Sequence, residues 1–233
     1  MKTKNIISII ISVLIIASIA AVLFFSNNKL VIQDKKITDS TKPFKINVVY
    51  PQINGQDDFN KKAEAIITKE ISDFKENSLD NDVAVKKIDP VGYAKYPREY
   101  ELDIGYDKGE VDNNIVSVVF SVYNFEGGAH GNSYFITLNY NVKNKQEVKL
   151  TDLFPADAGL LQKISDYCVK DLTKQIIAKL GSTDGTSIQD GAGPNADNFQ
   201  FFLINPNNTI TFYFPQYQVA YGAAGDFKVV MPR

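Results

Sequence analysis

The first feature of the chain is an unbroken apolar run at residues 6–25, in which serine is the only polar residue type. A helix of this length rises about 30 Å, which matches the hydrocarbon thickness of a membrane. Lys2 and Lys4 precede the run, and the positive-inside rule then places everything after it outside the cytoplasm. The sequence therefore predicts a membrane anchor at residues 1–26 and an exported remainder.

A cleaved signal peptide is the alternative interpretation of this run, because Ala17, Ala20 and Ala21 are small enough for a cleavage site. The apolar part of a signal peptide is about 7–15 residues long. Here the apolar run continues past Ala21 as far as Phe25, so its length favours a retained anchor. Both interpretations place the folded part outside the cytoplasm.

The polar segment at residues 27–43 is interpreted as a tether. Alternation of apolar and polar residues then predicts a strand at residues 44–50. Apolar residues at helical spacing predict a helix from Asp57 to about Phe74, with its first turn made acidic by Asp57 and Asp58. A charged, proline-containing stretch at residues 76–97 is expected to be a loop.

Period-two alternation predicts three further strands, at residues 100–106, 116–123 and 134–141. Such alternation is typical of an antiparallel sheet with one wet face. The strands follow one another closely along the chain, so we expect a sheet against which the preceding helix packs.

A second helix is predicted from about Asp157 to the residue before Gly181, with Cys168 on its apolar stripe and therefore buried. A polar loop at residues 182–198, a hairpin turn at residues 205–208 and a last strand at residues 226–231 complete the pattern. The fold class is therefore α+β, with antiparallel sheets and one main helix on each half. The expected units are an N-terminal domain at 44–142 and a C-terminal domain at 143–233, which could form one compact unit.

Composition excludes several classes of function. The formal net charge is -2, without the basic excess that nucleic-acid binding requires. The single cysteine excludes an internal disulfide, and the single histidine excludes a multi-histidine zinc site. The sequence accordingly predicts no nucleic-acid partner, no metal site and no cofactor.

Two stretches are unusual in composition. The first is a Gly-rich turn, Gly-Gly-Ala-His-Gly at residues 127–131, which contains the only histidine. The second is a Tyr-rich and Gly-rich segment at residues 217–225. With Asp-Leu-Phe at residues 152–154, they resemble a bacterial family of extracytoplasmic domains of unknown function. That family is shared by RsiV-type anti-sigma factors, which bind lysozyme, and by PdaC-type proteins.

The resemblance covers residues 44–232 and includes the companion domain that usually precedes the C-terminal one. Residues 1–5 leave no room before the apolar run for a sigma-binding domain. The metal-binding residues of the deacetylase domain have no counterpart here. The resemblance therefore implies a recognition module whose candidate ligands are a lysozyme-like protein or peptidoglycan.

The candidate binding residues come from the two unusual stretches. They are Glu126, His130, Asn132, Tyr217 and Tyr221. An acid–base pair of Glu126 and His130 is possible in principle, but catalysis also needs a nucleophile and a positioned partner, and the sequence shows neither. We expect His130 to hold the turn through hydrogen bonds to backbone carbonyls, and no catalytic residue is assigned.

The tyrosines have two interpretations, because exposed tyrosines can stack on sugars or anchor a protein partner, whereas buried ones pack a core. The leading hypothesis is a binding module, anchored in the bacterial cell membrane, that recognises an envelope protein or glycan. The alternatives are an enzyme that acts on cell-wall glycans, with paired carboxylates about 5–10 Å apart, and a structural component of the envelope.

Overall fold

The computed structural model describes residues 30–96, 98–154 and 159–233, which form two β-sheets and the helices that cover them. The first sheet has the order β1-β2-β3-β4-β5-β6 and the second the order β7-β8-β9. The strands are β1 (Ile32–Asp39), β2 (Phe44–Ile53), β3 (Tyr100–Val111), β4 (Ile115–Phe125), β5 (Asn132–Asn141), β6 (Gln146–Glu147), β7 (Phe202–Ile204), β8 (Thr209–Phe214) and β9 (Phe227–Pro232). The α-helices are α1 (Asp57–Ile88), α2 (Pro90–Lys95), α3 (Leu160–Leu180) and α4 (Ile188–Gly191).

The first sheet is antiparallel except for the pair β2 and β3, which run parallel. A parallel pair needs a long crossover connection, and α1 and α2 supply it. The buried face of α1 carries Phe59, Ala63 and Ile67 and packs on alternate residues of the strands, among them Tyr100 and Phe120. One face of the first sheet is thereby covered.

The opposite face of the first sheet packs against the second sheet. Val119 and Phe135 from the first sheet form a small core with Leu203 and Tyr213 from the second. Gly109 is required at this seam, because a methyl group there would lie 2.1 Å from the carbonyl oxygen of Ile204. The two sheets therefore approach each other backbone to backbone.

A buried polar network also joins the two sheets. Ser117 Oγ donates to Asn139 Oδ1 over 2.5 Å and accepts from the backbone N–H of Ile204 over 2.8 Å. Asn139 Nδ2 donates to the carbonyl of Phe202 over 3.0 Å. Buried polar groups need such partners, so Ser117 and Asn139 satisfy an edge of β7 that would otherwise be left unpaired.

Helix α3 covers the second sheet with the apolar side chains Ile164, Leu172 and Ile176. Cys168 is fully buried among them, as predicted, and this burial raises the pKa of its thiol to about 12. The helix ends at Gly181, which has the positive φ expected of a glycine in that position.

Two side chains of α3 reach the outer edge of the second sheet. Tyr167 donates its hydroxyl to the carbonyl of Val230 over 3.1 Å, and Gln175 donates Nε2 to the carbonyl of Lys228 over 2.8 Å. Both carbonyls belong to β9, so helix side chains hold two backbone acceptors of this edge strand.

The α+β class and the antiparallel-rich sheets are confirmed, but the expectation of purely antiparallel sheets is wrong at β2 and β3. Part of the expected tether at 27–43 is strand β1, which pairs with β2 from Ile32 to Asp39. The pairing adds main-chain hydrogen bonds to a segment with few apolar side chains. At the other end, β6 carries the first sheet beyond the expected boundary at residue 142.

The prediction of a loop at residues 76–97 is also wrong, because α1 continues to Ile88. Asn81 donates to the carbonyl of Glu126 over 2.9 Å, and Asp82 accepts from the hydroxyl of Tyr100. These contacts hold the polar end of the helix on the sheet. Pro90 is accommodated at the start of α2, where its missing N–H is not needed.

Helix α3 begins at Leu160, whereas the predicted start at Asp157 lies outside the described residues. The polar loop at 182–198 contains the short helix α4, with Ile188 buried. The expected anchor at residues 6–25 lies outside the described residues as well. Within residues 30–96, 98–154 and 159–233, no helix combines the length and apolarity needed to cross a membrane.

Candidate functional site

A cleft of about 270 Å³ opens where the two sheets diverge, next to the seam that joins them. It is bounded by the outer face of the first sheet and by the chain on either side of the connection between β8 and β9. Its lining residues are Asp103, Gly105, Ser121, Val122, Tyr123, Ser133, Tyr134, Phe135, Pro215, Gln216, Asp226 and Lys228.

The first wall of the cleft follows from the alternation of the strands. Residues two apart on a strand share a face, so Asp103 and Gly105 lie on the face of β3 that is turned away from α1. Ser121 and Tyr123 on β4, with Ser133 and Phe135 on β5, continue that face across the sheet. A methyl group at Gly105 would meet no atom within 4 Å, which shows the open space above this wall.

The second wall is the connection between β8 and β9. Gln218 holds it in place by donating Nε2 to the carbonyls of Gly191 and Asn198, over 2.7 and 3.0 Å. Gly225, at φ 76° and ψ -162°, directs the chain into Asp226. Only glycine adopts this conformation at low cost, so the position of Asp226 depends on Gly225.

The lysine of the cleft is already paired. Lys228 Nζ lies 2.9 Å from Asp107 Oδ2 and 4.7 Å from the ring centroid of Tyr213. Burial alone would raise the pKa of Asp107, but the Lys228 ammonium and the Tyr213 hydroxyl hold that pKa below its usual range. Burial and the Asp107 carboxylate raise the pKa of Tyr213. These three groups form a closed unit at the seam.

The two carboxylates of the cleft form no such ion pair. Lys45 attracts Asp103 through space, but the ion pair of Lys45 is with Glu101. Asp103 accepts a hydrogen bond from Asn47 Nδ2 over 2.9 Å, and Asp226 is exposed. Neither carboxylate forms a salt bridge within the part of the chain that the structure describes. The same ranges contain no group of three or more His, Cys, Asp or Glu side chains able to hold a metal ion.

The Gly-rich turn lies beside the first wall. A methyl group at Gly131 would lie 2.4 Å from the Tyr123 ring, so the turn supports that ring directly. The His130 side chain is exposed, with Nδ1 2.9 Å from the carbonyl oxygen of Gly131. Glu126 is half-buried and accepts from Asn124 Nδ2 over 3.0 Å, whereas Asn132 is exposed at the start of β5.

Both tyrosines of the second motif are exposed, Tyr217 by 61% and Tyr221 by 48%. Tyr217 has a positive φ of 70°, and its ring lies over Gly222, where a methyl group would come within 2.2 Å. The five residues predicted from sequence do not line the cleft. Two of their neighbours, Gln216 and Ser133, do line it.

The cleft residues escaped sequence reasoning because they are scattered along the chain and carry no local motif. The alternation of apolar and polar residues predicts the strands that contain Asp103 and Tyr123. It places each residue on one face of its own strand, but it does not show that the two residues share one face of a sheet. Asp226 and Lys228 belong to the last strand and its approach. The one usable signal was proximity to the two Gly-rich stretches.

Two family models match the chain. Residues 37–133 match the family described as "Deacetylase PdaC", and residues 151–233 match "Protein of unknown function (DUF3298)". The first model includes β3 and β4, and the second includes the connection from β8 to β9. Each matched domain therefore contributes one wall of the cleft.

Curated relatives and solved structures are similar over much of the chain. A peptidoglycan-N-acetylmuramic acid deacetylase of Bacillus subtilis is 26% identical over 84% of this chain, which spans 39% of that protein. An esterase of Mycobacterium tuberculosis is 23% identical over 70% of this chain and 68% of its own length.

The fold is shared with two crystal structures from the DUF3298 family. One, from Bacteroides fragilis, has a TM-score of 0.58 and 17% identity, covering 87% of this chain and 90% of its own. The other, from Pseudomonas aeruginosa, has a TM-score of 0.53 and 13% identity, covering 88% and 89%. The two domain models matched in tandem, the Bacillus relative and the solved structures together support a PdaC/DUF3298-type family for this chain.

Proposed function

We propose that this protein is a membrane-anchored, extracytoplasmic binding module that takes a glycan of the bacterial cell envelope into the cleft between its two sheets. The observation that carries the proposal is the lining of the cleft, in which an aromatic ring, hydroxyls and carboxylates face one cavity. The apolar run at residues 6–25 supports the anchor. The named substrate of the Bacillus relative supports a peptidoglycan ligand.

The chemistry of the lining suits a sugar. Tyr123, whose side chain is 37% exposed, presents an amphipathic ring on which the C–H face of a pyranose can pack. Ser121, Ser133 and Gln216 offer neutral hydrogen-bonding groups around it. A few convergent polar groups around an apolar surface are the usual arrangement of a small-ligand site.

The size of the cleft suits part of a longer ligand. Its volume of about 270 Å³ is slightly below the usual range for drug-sized pockets. It therefore accommodates one ring of a glycan strand, with neighbouring rings outside. Tyr217 and Tyr221, exposed beside the second wall, are the proposed contacts for those neighbouring rings.

The test is co-sedimentation of the full-length, detergent-purified protein with insoluble peptidoglycan. We expect the wild type to sediment with the glycan and Tyr123→Leu to lose about fivefold in affinity, since a stacking contact of this kind contributes about 1 kcal/mol. Tyr96→Leu is the matched control, because Tyr96 is also exposed, at 65%, but follows α2 and does not line the cleft.

Equal retention of both variants would reject the cleft as the glycan site. Wild-type protein that stays in the supernatant would reject glycan binding itself. A lysozyme-like protein is the alternative partner. Capture of lysozyme from solution, unaffected by Tyr123→Leu, would favour that partner over the glycan.

A hydrolase is the second candidate, and the observation that favours it is that both curated relatives are named as hydrolases. The cleft brings Asp103 and Asp226 to one cavity, as an enzyme acting on glycans would require. The test is whether the protein releases acetate or new reducing ends from peptidoglycan. Release that Asp103→Asn abolishes would show that the protein is an enzyme rather than a binding module.

A further inference from the structure

The charged groups that line the cleft restrict the class of ligand more than the shape of the cleft does. Three side chains in the lining carry a formal charge at neutral pH. Two are the carboxylates Asp103 and Asp226, and the third is the ammonium group of Lys228. Lys228 is neutralised by Asp107 at 2.9 Å, outside the lining itself. Lys45, which also attracts Asp103, is paired with Glu101, so the cavity presents a net negative charge to whatever enters it.

We propose that the glycan bound in the cleft carries a free ammonium group, as a de-N-acetylated amino sugar does, and that Asp103 and Asp226 select it. This inference rests on the proposed function, because it names the class of glycan for that same cleft. The residues come from both walls, Asp103 from β3 and Asp226 from the approach to β9. An ammonium between them would be held by both halves of the protein.

The direction of selection follows from the cost of desolvating a charge. A ligand that fills the cleft removes water from the carboxylates, and a buried carboxylate without a partner is costly. An ammonium group supplies three N–H donors and the opposite charge. A neutral N-acetyl group supplies one N–H donor and no charge, so it would leave the carboxylates largely uncompensated.

An anionic ligand is disfavoured for the same reason. To bind an anion, Lys228 would have to break its ion pair with Asp107. The cation–π contact of Lys228 with the Tyr213 ring also opposes that movement. Asp103 is also fixed, because Asn47 Nδ2 donates to it from β2. The arrangement of charges thus favours a cation without any rearrangement of the side chains.

The rest of the lining fits an amino sugar. Phe135 is 8% exposed, lies opposite Ser121 in the pairing of β4 and β5, and adds an apolar part to the first wall. The Tyr123 ring, supported by Gly131, offers both a stacking surface and a face that attracts a cation. A sugar ring that carries an ammonium substituent satisfies the aromatic surface and the carboxylates at once.

The test compares a glucosamine tetramer with an N-acetylglucosamine tetramer by isothermal titration calorimetry on the full-length protein in detergent. At about pH 6 the amino groups of the first tetramer are protonated. We expect it to bind at least about tenfold more tightly than the acetylated tetramer. The preference should shrink as sodium chloride is raised, because salt screens exposed charges.

The variant Asp226→Asn is expected to reduce the preference to about twofold or less. It should fold normally, because Asp226 is exposed and its carboxylate forms no hydrogen bond within the described parts of the chain. Asp184→Asn is the matched control, since it removes one exposed carboxylate from a loop that does not line the cleft. The control should keep the wild-type preference.

The outcomes separate this inference from the function on which it rests. Equal or tighter binding of the acetylated tetramer, with no effect of Asp226→Asn, would overturn the selection of an ammonium group and leave glycan binding in place. Failure of both tetramers to bind would overturn glycan binding and the selection together.

Discussion

The ring of His130 is exposed, and the one hydrogen bond that it forms among the described residues is to the carbonyl of the next residue. A buried hydrogen bond would have implied a loss of about 1–3 kcal/mol on removal. An exposed bond between sequence neighbours contributes much less.

We therefore expect His130→Ala to change the free energy of unfolding by no more than about 0.5 kcal/mol, the usual range for surface substitutions. Gly131→Ala is the contrasting change, because its methyl group would lie 2.4 Å from the Tyr123 ring and displace it. Urea denaturation measures the first effect, and peptidoglycan co-sedimentation should show weaker binding for the second. Abolished binding in His130→Ala at unchanged stability would instead place His130 on the binding surface.

At the scale of elements, the seam between the sheets depends on a few polar side chains. Ser117 and Asn139 are 0% and 4% exposed, and together they satisfy backbone groups at both ends of β7. Their removal would leave buried donors and acceptors without partners. The cost is then the desolvation of those groups as well as the lost bonds.

Asn139→Leu is expected to lower the free energy of unfolding by about 2–4 kcal/mol, since the Phe202 carbonyl and the Ser117 hydroxyl both lose a partner. Thr137→Val, on the same face of the same strand, is the control. Its hydroxyl lies 3.4 Å from the Gln200 carbonyl and is exposed, so its loss should cost about 0.5 kcal/mol or less. Chemical denaturation of both variants checks the difference, and equal stability would show that the network is dispensable.

The elements that sequence reasoning identified are those with a strong internal period. The alternation in β3, β4 and β5 predicted the strands whose two faces the structure covers with α1 and with the second sheet. Strand β1 was missed because most of its side chains are polar or charged, and main-chain pairing with β2 rather than burial stabilises it. That pairing joins distant parts of the chain and leaves no pattern in the segment itself.

The end of α1 was missed for a similar reason. Its contacts are polar, between Asn81 and the carbonyl of Glu126 and between Asp82 and Tyr100, and polar contacts do not produce an apolar stripe. The spacing of Leu79 and Val83 is helical, but both are exposed. The cleft could not be predicted because it forms only where the two sheets meet. The alternation within the strands predicts each sheet but not how the two sheets pack against each other.

At the scale of the whole molecule, tyrosine hydroxyls connect parts that are distant in sequence. Four of them donate to carboxylates across element boundaries. The pairs are Tyr100 with Asp82, Tyr106 with Asp34, Tyr134 with Glu70 and Tyr213 with Asp107. Two of the pairs tie the first sheet to α1, one ties β3 to β1 within the first sheet, and the fourth ties the two sheets together.

These pairs predict a specific sensitivity to alkaline pH. Burial, followed by the hydrogen bond to Asp82, raises the pKa of Tyr100 from 10.0 to about 12. The folded state therefore holds this proton more tightly than the unfolded state. Its contribution to stability is fully present below about pH 10 and is lost as the pH rises from there through about 12. Burial raises the pKa of Tyr106 and Tyr134 as well, in the same direction.

Urea denaturation at a series of alkaline pH values should show stability falling over this window. Tyr100→Phe should be less stable than the wild type at neutral pH but should show a shallower fall above pH 10. Tyr221→Phe, which changes an exposed tyrosine, should follow the wild-type profile. A Tyr100→Phe profile as steep as that of the wild type would remove Tyr100 from this explanation.

The hydrogen bonds from α3 to β9 have a consequence for how copies of the protein behave beside one another. An unoccupied strand edge is a template on which another chain can add a strand and begin to aggregate. Tyr167 and Gln175 already bind two carbonyls of β9, so an incoming strand would first have to displace them. The edge strand β1 carries the exposed Lys36, whose charge opposes the pairing of two copies, whereas its neighbour Lys35 is paired with Glu64. Self-association by strand addition is therefore disfavoured at both of these edges.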